Sequence, residues 1–493
     1  MNWLSQQKDE HDSIFNNGGD FWLSTKQQEN QQNLIFQGKA FQKQTKSRKW
    51  EAVHLELYVD KLIKIVNNQA EYCNINACYL KKIKYSESSF QPYKHGFRLH
   101  QGKQRVEFFT ESQDHYERWQ SALKRYCILT KFNKKYKLIC KHKLNEPYPS
   151  CTYKAQRNSD GLFFQIRIIE KNQLDDPILA LNEITILRRL DHVYVQRLQE
   201  VYEDQIYLYV VYDQYAGREQ KFLLPQLLQT PEKVIAELLY KLLLGLHHIH
   251  SKGLFHRDIK FDNIFNRFPD CLTDCCFVNF SSADFHENKM HRRIGTPGFM
   301  APEIFKTKQY DQQIDVFSLG VIFYYIVFGR MPFGTDFNEV LSKNEQGDIE
   351  YPDYCKISIS GLQLMKLMLQ KEPQKRCTSF QALNHHWFIN LKIRDLLGKP
   401  SVMMNQMKMG SGLNLSTILE KSDMIDNSNM SIALTPRGIK KKSQISRSKS
   451  SDMNILDQEF IYDSVADKMK CLKNTMPQPS RLKHKSNQTQ MQK

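Results

Sequence analysis

Nine residues, Phe255 to Asn263, read FHRDIKFDN and place a carboxylate (Asp258), an ammonium (Lys260) and a carboxamide (Asn263) in one short stretch. Phosphoryl transfer needs these three groups close together. A carboxylate accepts the proton of an attacking hydroxyl, a cation steadies the moving phosphoryl, and an amide oxygen reaches a magnesium ion. An apolar run with helical spacing, IAELLYKLLLGLHHIH (Ile235 to His250), leads into the stretch and predicts the helix that presents it.

The chain around this stretch has 493 residues, enough for two or three domains. Its net charge of +17 and pI near 9.2 favour acidic partners or an anionic surface. The eleven cysteines are scattered. Cys271, Cys275 and Cys276 form the tightest group, but they lack a paired C-x-x-C or a neighbouring His, so reduced thiols in a cytosolic protein are expected rather than a zinc site. The polar start, MNWLSQQKDEHDS, does not read as a signal peptide. The longest apolar run, VFSLGVIFYYIVFG (Val316 to Gly329), is too short to span a bilayer and predicts a buried core helix.

Residues 1–32 are rich in Gln, Asn and Ser and are expected to be mostly disordered, although Trp3, Phe15, Phe21 and Trp22 are candidates for docking on a folded domain. From 33 to 130 the pattern changes. AVHLELYVDKLIKIV (Ala52 to Val66) alternates as a strand pair with a turn near Asp60, and GFRLHQ and QRVEFFT repeat that alternation. ESQDHYERWQSALKRYCILT (Glu111 to Thr130) then carries Trp119, Ala122, Leu123 and Tyr126 at the spacing of one helix face. With GKAFQKQTKSRKW at the first hairpin and Trp119 in the final helix, this region resembles a pleckstrin homology (PH) domain, a small β-barrel closed by a C-terminal helix. The resemblance implies a structural role for Trp119 and a basic hairpin of Lys43, Lys46, Arg48 and Lys49. Glu51 and Val53 stand where basic residues would complete an inositol-phosphate pocket, so weak attraction to an anionic membrane, or docking to a protein, is expected in its place. FNKKYKL (Phe132 to Leu138) reads as the opening strand of the next domain, which leaves little linker.

Residues 135–390 resemble Ser/Thr protein kinases, with FHRDIKFDN as the catalytic loop, GTPGFMAPE (Gly295 to Glu303) as the segment that seats a substrate peptide, IDVFSLGVIFY as the core helix and QALNHHWF as the closing helix. The resemblance implies a bilobal fold, ATP and Mg2+ as cofactors, and structural pairs between Glu303 and Arg376 and between Asp315 and the loop backbone. It also implies a packed column of Leu187, His256 and Phe280. On the nucleotide side the sequence departs from the pattern. Asn145, Pro147 and Ser150 occupy the positions of the phosphate-loop glycines, and Pro147 has no N–H to offer. Gln165 fills the position of a small residue in LFFQIRIIEK, and Arg167 replaces the lysine, retaining Glu183 as its partner. Tyr212 narrows the back of the pocket beside the hinge residue Asp213, and Asn279 replaces the aspartate that would be the principal magnesium ligand, leaving Asn263 and Asn279 as a neutral metal pair. Arg292 occupies the usual activating phosphorylation position, so Arg257 has no phosphate to bind.

Losing one preorganised electrostatic element costs ~10²–10³ in rate. Several such losses argue against both ATP and magnesium. The expected product is a pseudokinase: a signalling scaffold or regulator that binds protein partners, an active kinase or a substrate peptide, with no nucleic acid partner. The alternative is a weakly active or unconventional Ser/Thr kinase using Arg167, Lys143 or Lys154 as the substitute cation. Residues 398–493 form a basic tail expected to be disordered, with 16 Lys or Arg against 8 Asp or Glu. Ser446, Ser448 and Ser450 are its candidate phosphorylation sites, and Ile455 to Leu472 a candidate amphipathic helix. The expected fold class is thus α+β multidomain, in the order PH-like barrel, kinase-like domain and disordered tail. The location is expected to be cytoplasmic, peripheral at the membrane.

Overall fold

The alternation read between Phe36 and Thr110 becomes a run of antiparallel strands. A computed structural model describes residues 14–15, 21–24, 34–44, 49–86, 91–142, 150–174, 176–215, 217, 219–269, 271–288, 291 and 293–397. A short strand β1 (Leu23–Ser24) precedes β2 (Phe36–Lys43), β3 (Trp50–Leu57), β4 (Lys61–Val66), β5 (Gln69–Asn74), β6 (Tyr79–Lys84), β7 (His95–Gln101) and β8 (Gln104–Thr110). Inward residues such as Ala40, Val53, Leu55, Leu62, Phe97, Leu99 and Phe108 enclose one core. Helix α1 (Gln113–Leu123) packs on it through Tyr116, Trp119 and Leu123, with Phe36 edge-on to Trp119 at 4.7 Å. Ser112 caps α1 by accepting a hydrogen bond from His115 N at 3.2 Å.

The helix stops seven residues short of the Thr130 that the sequence suggested. The apolar Ile128–Leu129 (β9) is instead drawn into a sheet, pairing in parallel with Tyr79 of β6 on one side and with Val201 and Tyr202 on the other. FNKK is likewise a helical turn, α2 (Phe132–Lys135), not the start of a strand. One turn brings Phe132 and Tyr136 to the same side, where Phe132 stacks on Tyr209 at 4.1 Å; the strand begins only afterwards.

That strand, β10 (Tyr136–His142), opens an antiparallel set with β11 (Ser150–Arg157), β12 (Phe163–Glu170), β13 (Leu198–Glu203) and β14 (Tyr207–Asp213), with α3 (Pro177–Arg189) between β12 and β13. Because β9 joins β6 to β13, the N-terminal β-rich region and the small lobe share one sheet of 14 strands among the described residues. Phe15 and Phe21 are buried, as is expected of docked side chains in an otherwise polar segment, and Trp22 packs edge-on to Phe108 at 6.4 Å. Trp3, Lys46, Arg48, Lys143, Asn145, Pro147 and Arg292, and the tail from 398 with its serines and Ile455 to Leu472, lie outside the described residues.

The large lobe is helical. Between α4 (Leu224–Leu227) and the FHRDIKFDN stretch runs α5 (Glu232–Ser251), which buries Ile235, Leu238, Leu239, Leu242, Leu243, Leu246 and Ile249 at helical spacing. Gly245 is required in α5 because a Cβ there would sit 2.8 Å from Tyr194 O. After the short α6 (Glu303–Lys306), α7 (Gln313–Phe328) is apolar all round and buried from Ile314 to Val327, as its composition predicts. Among the described residues no helix is long and apolar enough to cross a membrane.

Candidate functional site

The catalytic stretch hangs from the first turn of α7. Asp315 accepts hydrogen bonds from His256 N at 2.7 Å, Arg257 N at 2.8 Å and the His250 ring at 3.1 Å. This anchor holds Arg257 at φ +68°, a left-handed conformation that a non-glycine residue adopts only when its surroundings impose it. His256 Nε2 donates to Val278 O at 3.0 Å while Nδ1 faces Asp258 N, and burial pushes the ring below the usual histidine pKa, so it stays neutral. The ring lies 4.8 Å from Phe280, and Leu187, the third member of the expected column, is buried in the same core as Phe280.

Asp258, Lys260 and Asn263 come together as read. Asn263 Nδ2 donates to Asp258 O at 2.7 Å and to Oδ2 at 2.9 Å; Lys260 Nζ lies 2.9 Å from Oδ2. Thr296, from the GTPGF segment, donates to Asp258 Oδ1 at 2.6 Å and accepts from Lys260 at 2.7 Å. Burial alone would raise the Asp258 pKa, but the Lys260 charge and the hydrogen bonds from Lys260 and Thr296 outweigh it and hold the carboxyl below the usual range. Thr296 stood inside a recognised motif, yet nothing in its spacing announced that it would join the two charged residues.

The two carboxamides expected as a metal pair bond to each other. Asp258 can only accept at its carbonyl and carboxylate, so Asn263 must present its NH2 there and turn Oδ1 away. Asn279 Nδ2 donates to that Oδ1 at 3.1 Å. Ser281 donates to Asn279 Oδ1 at 2.8 Å, and Gln196 accepts from Asn279 N at 3.2 Å. Asn279 is held at φ +65°, which Asn tolerates better than most residues. Each carboxamide oxygen that could face a cation already accepts a hydrogen bond from its neighbour.

On the roof of the cleft, Gln165 pairs in register with Lys154 on one side and Tyr212 on the other. Lys154 Nζ sits 4.3 Å from the Phe163 ring centroid. Arg167, 5% exposed, gives Nη1 to both oxygens of Glu183 at 3.0 and 2.9 Å and lies 5.6 Å from the Tyr212 ring. Asp213, at the hinge, accepts from Gln199 at 2.5 Å, and burial pushes its pKa up. Ser150, the last of the three positions where the resemblance led one to expect glycine, begins β11.

The peptide side is firmly anchored. Asn344 accepts from Gly298 N at 2.9 Å and donates to Met300 O at 2.6 Å; Ser318 donates to Phe299 O at 2.8 Å. Arg376 meets Glu303 in a two-pronged buried pair at 2.6 and 3.0 Å. Lys221 ties Asp262, within the catalytic stretch, at 2.6 Å. Arg257 proves to have an anion after all. Asp284, on β16 (Asp284–Phe285) opposite β15 (Leu254–Phe255), lies 3.1 Å from its guanidinium and 3.1 Å from His291. Asp284 was not found from sequence because its partner is 27 positions upstream and no spacing links them.

The family model for the protein kinase domain matches residues 143–388. The calcium/calmodulin-dependent protein kinase type 1B of Homo sapiens is 30% identical over 256 residues, half of this chain and 74% of that protein. The chain belongs to the protein kinase family. The protein named "Probable serine/threonine-protein kinase 2" of Plasmodium falciparum is 34% identical over 211 residues, 42% of this chain and 41% of that one. The calcium/calmodulin-dependent protein kinase type 1 of Macrobrachium nipponense is 32% identical over 228 residues, 45% and 66% respectively. The chain therefore spans less than two thirds of these last two relatives. It is Ser/Thr protein kinase-like, with its kinase domain preceded by a β-rich region.

Proposed function

We propose that this kinase-family chain works as a pseudokinase, a scaffold or regulator that binds a polypeptide and transfers no phosphate. The observation that carries the reading is the Ser281–Asn279–Asn263–Asp258 chain of hydrogen bonds. Magnesium favours carboxylate oxygen, and the two expected metal positions offer neutral carboxamide oxygens, each of which already gives one lone pair to a neighbouring donor. The residues do not fit the ion. Arg167, bound to Glu183, and Gln165 on the roof leave the nucleotide side without its usual partners. Asp258 and Lys260, through Thr296, serve to brace the segment that seats a peptide. Thermal melting with and without millimolar ATP and Mg2+ tests the reading: a ligand stabilises by RT ln(1 + [L]/Kd), so no shift is expected. A shift of several degrees, or phosphate transfer lost on Asp258→Ala, would overturn it.

The specific observation favouring the alternative, a weakly active Ser/Thr kinase, is that Asp258, Lys260, Thr296 and Asn263 are assembled as chemistry would need. The N-terminal region is proposed to be PH-like and to dock the chain at an anionic membrane or a protein. Its Lys43 reaches Gln91 at 3.4 Å and lies 5.7 Å from the Trp50 ring, while Lys49 is exposed beside them. Sedimentation with anionic and neutral liposomes checks the membrane arm and with it the proposed peripheral, cytoplasmic location.

A further inference from the structure

Helix α3 carries Glu183 at its middle, and its C-terminal end is buried against the N-terminal β-rich region. Arg188, 1% exposed, donates through Nη1 to Asn76 O at 3.1 Å and through Nη2 to Cys127 O at 3.3 Å, with the Phe15 ring 5.9 Å from its guanidinium. One step on, Arg125 at the end of α1 donates to Leu190 O at 2.5 Å and pairs with Asp191 at 3.1 Å. That places a cation on the carbonyl end of α3, where the helix dipole favours it. Beside the helix, the buried carboxylate of Glu203 on β13 accepts from Tyr79 Oη at 2.7 Å, from Ile14 N at 3.2 Å and from Lys171 at 3.2 Å. Three parts of the chain, the N-terminal segment, the β-rich region and the small lobe, thus meet at two buried charges.

We propose that the N-terminal β-rich region is the positioning partner of α3, acting in cis. It grips the helix end through Arg188, Leu190 and Asp191, and so sets the Arg167–Glu183 pair. A helix is stiff, and Glu183 lies about 7.5 Å along the axis from Arg188 at 1.5 Å per residue. Holding one end therefore fixes where the carboxylate reaches. The inference deepens the scaffold reading, because it explains how the small lobe keeps its shape without nucleotide. It does not stand or fall with that reading: phosphate transfer by the native chain would end the scaffold reading and leave this one intact.

Hydrogen exchange on the full chain tests it. Arg188→Met should speed exchange in residues 177–189 about tenfold or more, and Arg188→Lys, which keeps the charge, should fall between. Exchange in α5 and α7 should not change. Glu183→Gln separates this proposal from its converse. If the β-rich region sets the helix, residues 185–189 keep their protection; if the Arg167–Glu183 pair sets it, the whole helix loosens. Should Arg188→Met fail to fold, Tyr79→Phe, which removes a single hydroxyl, and Arg125→Gln replace it and should each speed α3 exchange several-fold. Unchanged α3 exchange in these variants, or a helix that loosens throughout in Glu183→Gln, would overturn the proposal.

Discussion

Asn279→Asp puts a carboxylate beside Asn263, at the position proposed above to face a cation, and should destabilise the protein before any cation helps it. The substitution replaces Nδ2, which donates to Asn263 Oδ1 at 3.1 Å, with an acceptor. One hydrogen bond is lost, at about 1 kcal/mol, and the Asn263 oxygen, in a residue 4% exposed, is left unsatisfied at about 1–3 kcal/mol more. A second negative charge near Asp258 adds repulsion, so a total of ~2–4 kcal/mol is expected. For a domain of this size each kcal/mol moves Tm by roughly 2–4 °C. The variant should therefore melt roughly 5–15 °C below the native chain in the absence of divalent ions. Magnesium should then return part of the loss, about 1.4 kcal/mol at a concentration ten times its Kd, while the native chain shows no such response. Calorimetry with EDTA and with a Mg2+ series reads both effects. An Asn279→Asp protein as stable as the native one in EDTA, or a native protein that magnesium stabilises equally, would refute the closed-network reasoning.

Asp284→Asn should cost about 3 kcal/mol in urea unfolding, since it strips the anion from buried Arg257, and it should loosen residues 293–303 in hydrogen exchange while Asp315 keeps residues 256–258 protected. Arg376→Met leaves Glu303 as an unpaired buried charge and should cost about 3–5 kcal/mol in the same measurement. His192 and His248, stacked at 5.0 Å, accept from Tyr194 N and Asp191 N, so each must be neutral; burial lowers their pKa values to about 3 and about 4. Because the unfolded rings bind protons at about pH 6.5 and the folded ones do not, stability should be full above that pH and fall as the pH drops towards 4, and His248→Gln should flatten this limb of a Tm-against-pH profile.

Residue spacing along the chain announced a good deal of this protein. The period of α5 and the uninterrupted apolar run of α7 fixed two buried helices, because a helix of that composition has no other way to hide its surface. The order of FHRDIKFDN indicated that Asp258, Lys260 and Asn263 would meet, since a short loop leaves them little freedom, while the part of Thr296 was not indicated. Arg167 with Glu183 and Glu303 with Arg376 were expected from the resemblance to kinases, not from spacing, and the structure forms both pairs. The ends of α1 and the nature of FNKK were misread. Local periodicity carried no word of β13, whose paired residues lie 73 positions on, waiting for Ile128 and Leu129, or of Tyr209 waiting for Phe132.

By itself, then, the sequence determined the long buried helices, the kinase-like order of FHRDIKFDN and GTPGFMAPE, and that position 279 carries an amide and not a carboxylate. Only the tertiary structure decided that the two amides bond to each other, that Asp284 serves Arg257, and that the β-rich region takes hold of α3. The physical reason is the kind of partner involved. Arg188 is held by the carbonyls of Asn76 and Cys127, and every residue has a carbonyl, so no side-chain pattern can mark which two will be brought within reach.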